Sequence, residues 1–523
     1  MAVPFLSTEA LDRLRSYAER RIAAGDTPGV AVAAIDRDGA ESLLAVGHAD
    51  LAGTPLRLDH LLEIGSISKS FAVVCALQLE REGALSLDDP VERHLPWFRM
   101  SGVGHGTISL RHLMMHTSGL TTGMDATPSS AALIRLAGPL TGWAPGSRFW
   151  YSNVGYDALG AVVEARAGIP FPQVIRDRVL RPLGMAASAA FIGPEHRPAM
   201  AAGHEPLYPD RPAHPAIPLA VAPFCESEGA SGSIVSTAAD MARYARMLLR
   251  GGHPGVLAEA DFARMADGLP DDEGVPYGLG LTIEERDGHT LVGHGGSMVG
   301  YRAQLSCDAE AGVGAVALVN GPRGARAVVD YALALGRACR AGAPFPDPPT
   351  DEPPDLDPYL GRYGPVTVTP DGIETATGHG TLAESEGDTF ATDHPELCRS
   401  FICFGRTNGR IDHLVAGNDW YPRDGYGGPH EFPHPSEWLA YPGLYRSHNP
   451  WNLCYRITLC RGELAAEQAA YGRIPLAPAS GGTFAWMTPA GPAPEHFAFG
   501  TIIDGAAQRL LVSGFPLHRA MAH

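Results

Sequence analysis

A proline-rich segment divides this chain of 523 residues into two parts of different texture. Residues 341–358, AGAPFPDPPTDEPPDLDP, contain seven prolines and five acidic residues. Proline removes the backbone N–H that helices and sheets need, and the acidic side chains favour water, so the sequence predicts a stiff linker. A chain of this length also exceeds what one hydrophobic core supports. We therefore expect domains at residues 1–345, 359–436 and 437–523, with the linker proper at residues 346–358.

The part before the linker contains helical and strand patterns. Apolar residues at helical spacing, preceded by Ser or Thr and followed by Gly, mark the start and end of several helices. The later strands follow one another with short turns such as RDG, and neighbours joined so closely must be antiparallel. We expect helices at residues 7–24, 66–83, 237–250 and 326–340, and strands at residues 29–35, 41–47, 278–285, 289–294, 301–307 and 313–319.

The part after the linker consists of short β-rich runs separated by Gly, Pro and Asp. YLGRY at residues 359–363 and YPGLY at residues 441–445 share the pattern Y-x-G-x-Y. Such an echo is typical of a repeated unit and favours two β modules, although one larger barrel is an alternative. No catalytic motif is visible in this tail, so we expect a lid, an oligomerisation element or a bystander domain.

Charge and hydropathy exclude several classes of partner. The chain has 40 Lys and Arg against 58 Asp and Glu, a formal net charge of −18, and no basic block offsets it. Such a field repels phosphate backbones, so nucleic acid is not an expected partner. The first residues lack a basic stretch followed by an apolar core, and no apolar run approaches the length of a membrane span. We expect an unexported, cytoplasmic protein with no membrane partner.

Cysteine and histidine spacing gives no indication of a cofactor. The eight cysteines are scattered without any C-x-x-C, and the 21 histidines show no H-E-x-x-H. A disulfide framework and a zinc site are therefore not indicated. We expect no metal and no cofactor.

The hexapeptide GSISKS, residues 65–70, precedes the apolar run FAVVCALQL. Ser and Gly are ordinary residues at a helix start, and that explanation needs no chemistry. A catalytic explanation is also open, because Ser66 and Lys69 are three residues apart and would share one face of a helix. A lysine held in a dry pocket can have its pKa lowered enough to accept a proton from serine, which is otherwise a poor nucleophile.

Two further segments add polar groups suited to an active site. Tyr151 and Asn153 follow the loop GWAPGSR, where a phenol and an amide could face a substrate. His294 and Gly296 lie in LVGHGGSMVGYRA, a strand whose glycines would let a ligand backbone come close. Taken singly, each has a structural explanation, such as a packed aromatic ring, a helix cap or a β-bulge. No G-x-S-x-G turn is present to support the alternative of an α/β-hydrolase.

The order Ser-x-x-Lys, Tyr-x-Asn, His-x-Gly resembles that of the penicillin-recognising serine hydrolases. The resemblance covers about residues 10–340. Within that superfamily, the chain is similar to the branch that includes class C β-lactamases, DD-peptidases, D-aminopeptidases and related esterases. It implies an α/β (α+β) catalytic domain, with an antiparallel sheet flanked by helices. Other segments that carry it are LRHLMMHTSGL, PGSRFWYSN, LRPLGM and GASGSIVSTAADMARYARMLLRGG. D-aminopeptidases of this branch have two C-terminal β-barrels and peptide-cyclising relatives have a lipocalin-like one, so the tail is expected to be all-β barrel.

The resemblance implies roles for individual residues. Ser66 would be the acylated nucleophile, Lys69 its proton acceptor or electrostatic partner, and Tyr151 the general base and acid; how Lys69 and Tyr151 divide that duty is disputed for such enzymes. Asn153 would bind the amide carbonyl of the substrate and orient Lys69. The backbone N–H groups of Ser66 and Ser297 would form the oxyanion hole.

His294 stands where β-lactamases have the lysine of K-T-G, as in D-aminopeptidase and DD-peptidase members. Together with Asn153 and Gly296 it is expected to bind substrate. The departure makes β-lactam hydrolysis less favoured.

Three functions stay open at this point. The first is an amidase or peptidase that acts through an acyl-enzyme on small molecules or short peptides, with D-configured residues favoured. The second is an esterase or acyltransferase, including a peptide-cyclising one, that uses the same site. The third is a binding protein of the same fold without turnover, which the intact set of site residues disfavours. Pocket loops at residues 121–140 and 205–228 are expected to set the substrate, and a homodimer is an open outcome.

Overall fold

The computed structural model describes residues 3–98, 108–123, 143–270, 274, 276–350 and 353–520. The chain forms two compact units. The first unit comprises Met1–Glu205 together with Leu219–Pro349, and the second comprises Pro206–Pro218 together with Thr350–His523. The predicted pocket loop at residues 121–140 lies outside the described residues from position 124 onward.

An eight-stranded antiparallel sheet forms the centre of the first unit. Two neighbouring strands, Gly29–Asp36 and Val313–Val319, are buried almost throughout, because helices cover both faces. This is the antiparallel, helix-flanked sheet that the sequence predicted. In spatial order the strands are Glu41–Gly47, Gly29–Asp36, Val313–Val319, Tyr301–Asp308, His289–Met298, Thr282–Arg286, Pro276–Tyr277 and Leu269–Pro270.

Helices pack on the two faces of this sheet. Thr8–Ala23 and Ala325–Ala341 lie together on one face and share its apolar core. Ala238–Leu249 packs from the other face against Gly29–Asp36, Val313–Val319 and Tyr301–Asp308, and the Cys307 thiol of the last of these strands donates to the carbonyl of Ala245 over 3.4 Å. The predicted helices agree with these within a residue or two, because Ser7 and Thr237 accept hydrogen bonds as N-caps.

One helix, Ser68–Arg81, is buried from Ser68 to Leu79 and fills the space beside the sheet. Phe71 on this helix stacks on Tyr244 with ring centroids 3.7 Å apart. The other helical segments of the first unit are Gly65–Ile67 and Arg197–Ala199 (3-10), Arg176–Leu180 (π), Val91–His94, Leu110–Met114, Asn153–Ala167, Phe171–Ile175 and Glu259–Met265. Two short pairs complete it: Leu62–Glu63 with Val235–Ser236, and His204–Pro206 with Leu219–Val221. No helix among the described residues is long and apolar enough to cross a membrane.

The second unit is built from β-strands. After the 3-10 turn Asp357–Tyr359 comes a four-stranded sheet: Gly361–Tyr363, Val366–Thr369, Gly372–Thr375 and Gly378–Gly380. A five-stranded sheet follows: Leu382–Glu386, Thr389–Thr392, Ile402–Thr407, Arg410–Ala416 and Asp419–Pro422. After a second 3-10 turn, Ser436–Ala440, eight strands close into a barrel: Gly443–Arg446, Cys454–Cys460, Glu463–Gln468, Gly472–Pro478, Phe484–Thr488, Gly491–Ile503, Ala506–Val512 and Phe515–Arg519. The all-β tail that the sequence predicted therefore ends in a closed barrel.

The two Y-x-G-x-Y segments have the same local structure. In the first, the Tyr363 hydroxyl donates to the carbonyl of Tyr359 over 2.8 Å. In the second, the Tyr445 hydroxyl donates to the carbonyl of Tyr441 over 2.7 Å. The second tyrosine of each segment is fully buried. The repeated sequence motif thus corresponds to a repeated local structure, which we call a tyrosine corner, at residues 359–363 and 441–445. Each corner stands at the start of one half of the tail.

An arginine from the end of each half completes its corner. Arg423 donates to the carbonyl of Leu360, and Arg519 donates to the carbonyl of Pro442. Each guanidinium also lies over the buried tyrosine of its corner, 5.7 Å and 5.1 Å from the ring centroid respectively. A Cβ on Gly443 would stand 2.3 Å from the Arg519 guanidinium, so glycine at this place in the motif makes room for the arginine.

Residues 206–218 fold with the second unit, although the sequence patterns placed them in the first part of the chain. The Arg456 side chain donates to the carbonyl of Asp210 over 3.2 Å. His214 Nε2 is hydrogen-bonded to Thr381 Oγ1, also over 3.2 Å. Arg456 is in the barrel and Thr381 lies between the four-stranded and five-stranded sheets, so the segment is hydrogen-bonded to two separate parts of the tail.

Candidate active site

Ser66 lies in the 3-10 turn Gly65–Ile67, immediately before the helix Ser68–Arg81. The sequence predicted an α-helix from Ser66, and the structure starts that helix two residues later. Gly65 has φ +53°, a left-handed conformation that glycine adopts easily. The turn leaves Ser66 partly exposed while the residues on either side are buried.

The strand His289–Met298 lies directly against this turn. A Cβ on Gly65 would stand 2.6 Å from the nitrogen of Ser297, and a Cβ on Gly296 would stand 2.0 Å from the carbonyl oxygen of Ile64. Both distances are impossible for a real Cβ, so the close approach requires the two glycines. The backbone of Ser297 is thereby placed beside the nucleophile turn.

Lys69 is fully buried and hydrogen-bonded to three neutral acceptors. Its Nζ lies 3.0 Å from Ser66 Oγ, 2.7 Å from Asn153 Oδ1 and 2.6 Å from the carbonyl oxygen of Ser231. The ammonium group also lies 4.8 Å from the ring centroid of Tyr151. The distance of 3.0 Å between Nζ and Ser66 Oγ allows direct proton exchange between the two groups.

Tyr151 and Asn153 are positioned by the start of the helix Asn153–Ala167. Ser152 is its N-cap, and Ser152 Oγ accepts from the backbone N–H of Gly155 over 3.0 Å. The cap fixes the backbone at the point where the chain turns into the helix, so Tyr151 and Asn153 are held on either side of it. Asn153 reaches Lys69 directly, whereas Tyr151 lies alongside it through its ring.

His294 lies on the strand beside the nucleophile turn, with its ring centroid 6.3 Å from that of Tyr151. Burial and the nearby charge of Lys69 lower the pKa of His294 to about 4, so the imidazole is neutral near pH 7. Nδ1 faces the carbonyl oxygen of Gly295 and must donate to it. Nε2 then accepts from the hydroxyl of Tyr277, 3.0 Å away. Both ring nitrogens therefore have partners within the protein.

Glu63 lies three residues before Ser66 and is also buried. Desolvation raises the pKa of this carboxyl to about 8, because water no longer stabilises its charged form. Glu63 and Lys69 are thus both buried ionisable side chains that flank the nucleophile turn in sequence.

The structure brings together every site residue that the sequence singled out. Ser66, Lys69 and Asn153 are hydrogen-bonded, Tyr151 and His294 lie beside them, and Gly296 and Ser297 pack against the nucleophile turn. The roles assigned to these residues stay predictions. No group of three or more His, Cys, Asp or Glu side chains suited to a metal ion occurs in the described part of the chain.

Sequence patterns missed three contributors to the site. The carbonyl of Ser231 accepts from Lys69, but a backbone group leaves no signature in the side-chain sequence. Tyr277 holds His294 from a two-residue strand too short to show periodicity. His116 packs against Tyr151 with ring centroids 4.1 Å apart, and its only signal was its place in LRHLMMHTSGL.

Comparison with protein families and curated proteins gives one consistent result. A family model described as Beta-lactamase matches residues 14–338. A human beta-lactamase-like protein is 31% identical over 59% of this chain, which spans 64% of that protein's length. Penicillin-binding protein 4 of Amycolatopsis lactamdurans is 29% identical over 64% of this chain and 93% of its own. Esterase EstB of Burkholderia gladioli is 36% identical over 27% of this chain and 41% of its own.

Solved structures share the fold at lower identity. The octameric penicillin-binding protein homologue from Pyrococcus abyssi covers 79% of this chain and 99% of its own, with TM-score 0.60 and 24% identity. The D-stereospecific amidohydrolase from a Streptomyces species covers 62% of this chain and 98% of its own, with TM-score 0.52 and 24% identity. SurE covers 98% of this chain and 99% of its own, with TM-score 0.54 and 21% identity, so its fold extends over the tail as well.

Proposed function

This chain belongs to the beta-lactamase family, and from that membership we propose that it is a serine hydrolase that cleaves small amides or short peptides through an acyl-enzyme. The observation that carries the proposal is the hydrogen bond of 3.0 Å between Lys69 Nζ and Ser66 Oγ. It joins a partly exposed hydroxyl to a buried amine, which is the pairing that activation of a serine requires.

In the proposed reaction, Ser66 Oγ attacks the carbonyl carbon of the amide as its proton passes to Lys69 or Tyr151. The negative charge on the carbonyl oxygen is stabilised by the backbone N–H groups of Ser66 and Ser297. The C–N bond then breaks, and Tyr151 donates a proton to the departing amine. Water, deprotonated by the same group, attacks the ester on Ser66, releases the carboxylic acid and restores the serine hydroxyl.

Asn153 has two parts in this proposal. Its Oδ1 accepts from Lys69 Nζ over 2.7 Å and so fixes the direction of the amine. Its side-chain N–H group is left to bind the amide carbonyl of the substrate next to the scissile bond.

We favour amides and peptides with D-configured residues as substrates over β-lactams. Support comes from the D-stereospecific amidohydrolase of the same fold and from the character of His294. A neutral imidazole whose two nitrogens are already bonded offers no positive charge to the carboxylate of a penicillin. In the proposal, His294 holds Tyr277 at the edge of the substrate pocket, and Gly296 lets the strand lie against the nucleophile turn.

An ester substrate is the second candidate, because Esterase EstB is 36% identical over part of this chain. Ester and amide acylation use the same nucleophile and oxyanion hole, so the site geometry does not separate them. The leaving group distinguishes the two reactions, because an amine must be protonated before it leaves and an alcohol with a low pKa need not be.

A kinetic panel on the full chain tests the substrate. It comprises D- and L-alanine p-nitroanilide, D-alanyl-D-alanine, p-nitrophenyl butyrate and nitrocefin, with kcat/KM measured for each. We expect the D-alanine compounds to exceed L-alanine p-nitroanilide and nitrocefin. If kcat/KM for p-nitrophenyl butyrate exceeds that of every amide by orders of magnitude more than its higher intrinsic reactivity explains, the esterase proposal replaces the amidase one. If kcat/KM is highest for nitrocefin, the inference that a neutral His294 disfavours β-lactam substrates is wrong.

A labelling experiment tests the nucleophile independently of the substrate. A fluorophosphonate should add once to the chain, and peptide mapping should place the adduct on Ser66. The Ser66→Ala variant should not react. Ser70→Ala is the matched control, because its hydroxyl is buried and donates to the carbonyl of Ile67; this variant should still be labelled. An adduct on another serine would overturn the assignment.

A further inference from the structure

The backbone on both sides of Tyr151 is bonded to one residue, His116. The N–H of Trp150 donates to the carbonyl oxygen of His116 over 2.7 Å. The N–H of Ser152 donates to His116 Nδ1 over 2.9 Å. The imidazole also lies against the ring of Tyr151, with centroids 4.1 Å apart and planes inclined by 31°. His116 thus binds the backbone of the residue before Tyr151 and of the residue after it, and its imidazole packs against the Tyr151 ring.

His116 itself has little freedom to move. It follows the helix Leu110–Met114, is fully buried, and is surrounded by the rings of Tyr156 and Tyr277 at 5.0 and 4.8 Å. Its φ of +55° is unusual for a residue with a side chain and persists only when the surroundings enforce it.

The protonation state of His116 agrees with its contacts. Desolvation, assisted by the charge of Lys69, holds the pKa of His116 well below its usual range, so the imidazole is neutral. Because Nδ1 accepts the Ser152 N–H, the proton is on Nε2. Within the part of the chain that the structure describes, Nε2 has no hydrogen-bond partner. A buried unpaired N–H is unfavourable, and an apolar ring would avoid it, so packing alone does not explain a histidine here.

We propose that His116 is a positioning residue that sets the place of the Tyr151 hydroxyl relative to Ser66 and Lys69 through its acceptor atom and its ring. It touches no substrate and transfers no proton. The inference rests on the proposed function, in which Tyr151 moves the proton. A displacement of about 1 Å at such a group can cost about 100-fold in rate.

Two substitutions separate the acceptor from the ring. His116→Phe keeps an aromatic ring against Tyr151 and removes the acceptor for Ser152. His116→Asn loses the ring but keeps an acceptor, because Oδ1 of asparagine is bonded to Cγ as Nδ1 of histidine is, and asparagine tolerates positive φ. With p-nitrophenyl butyrate we expect kcat to fall about 100-fold in His116→Phe and less in His116→Asn, with KM changed by less than about threefold in both.

Controls distinguish positioning from loss of structure. His60→Asn is the matched variant, since His60 is buried in the same unit and its Nδ1 accepts from the N–H of Arg57 over 3.0 Å. It should keep kcat even if its thermal unfolding midpoint falls as far as that of His116→Asn. Wild-type kcat in both His116 variants, or a fall in kcat that His60→Asn shares, overturns the inference.

Tyr151→Phe separates this inference from the proposed function. If Tyr151→Phe loses turnover while the His116 variants keep it, the positioning role is wrong and the proposed chemistry stands. If Tyr151→Phe itself turns over at the wild-type rate, the proposed role of Tyr151 is wrong, and the positioning role falls with it.

Discussion

Lys69 in the first unit and Arg519 in the barrel are both cations surrounded by neutral acceptors, but they are assembled in different ways. The acceptors of Lys69 are two side-chain oxygens, Ser66 Oγ and Asn153 Oδ1, and one backbone carbonyl, that of Ser231. The acceptors of Arg519 include carbonyls at the end of a 3-10 turn, where a positive charge is favourable.

The two cations also differ in whether a group that they bind can react with a substrate. Lys69 is fully buried and reaches one hydroxyl that is still partly exposed. Arg519 links the last strand of the barrel to the first, and the groups it binds there are backbone carbonyls and a buried tyrosine hydroxyl. We therefore expect substitutions around Lys69 to remove activity with little effect on stability, and substitutions around Arg519 to do the reverse.

The largest expected effect comes from Lys69→Met. Methionine fills a similar volume without a charge, and removing the cost of burying an ammonium offsets the loss of its three hydrogen bonds. We expect kcat to fall by about 10⁴-fold or more, as for other residues that activate a catalytic serine. The thermal unfolding midpoint should stay at or above the wild-type value. A variant that unfolds early would show that Lys69 serves the fold, which would break the comparison.

A smaller effect should appear in the pH dependence of stability through Glu63. The folded-state pKa of about 8 lies above the unfolded value of about 4.5, so the folded state binds the proton more tightly. The stability contributed by protonated Glu63 is complete below about pH 4.5, declines as pH rises to about 8, and is constant above that. The total change is on the order of 5 kcal/mol.

The variant Glu63→Gln isolates this contribution. Glutamine cannot ionise, so its unfolding free energy should lack the decline between about pH 4.5 and 8. Denaturant unfolding at pH 5 and pH 8.5 should show the variant gaining stability relative to wild type at the higher pH. A constant difference between the two proteins across this range would contradict the raised pKa.

The next effect in size is expected from Arg519→Met in the barrel. Its guanidinium donates to the carbonyls of Ala507, Pro442 and Ala440 and to the Tyr445 hydroxyl. Loss of these bonds should lower the unfolding free energy of the tail by about 2–3 kcal/mol and leave kcat unchanged.

Arg423→Met is the matched variant at the other corner. Its guanidinium donates to the carbonyls of Ile411 and Leu360, so we expect a smaller loss of stability than in Arg519→Met. A fall in kcat in either variant would show that the tail shapes the active site, and the contrast with Lys69 would no longer hold.

Local signals made much of the fold predictable. The helices Thr8–Ala23 and Ala238–Leu249 begin after side chains that cap them, and the antiparallel order follows from short turns. The start of the nucleophile helix was predicted two residues early, because the sequence favours a helical conformation at Ser66 without distinguishing a 3-10 turn from an α-helix. Closure of the barrel depends on pairing between Gly443–Arg446 and Phe515–Arg519, which no local pattern reveals.

The site was predictable where it depends on side chains in short motifs. Ser66, Lys69, Tyr151, Asn153 and His294 were found in this way, and the structure brings them together. The saturation of His294 by Tyr277 and Gly295 was not foreseen, because a strand pattern does not show which partner lies across the pocket. The same holds for His116, since a single histidine in sequence does not reveal the two backbone groups that it binds.

The placement of residues 206–218 in the second unit has a consequence for inheritance. A gene that gained a stop codon in the proline-rich linker would lose Arg456 and Thr381, the partners of Asp210 and His214, but would keep the segment that binds them. A chain shortened at the linker would therefore keep residues 206–218 without the tail residues to which they are hydrogen-bonded.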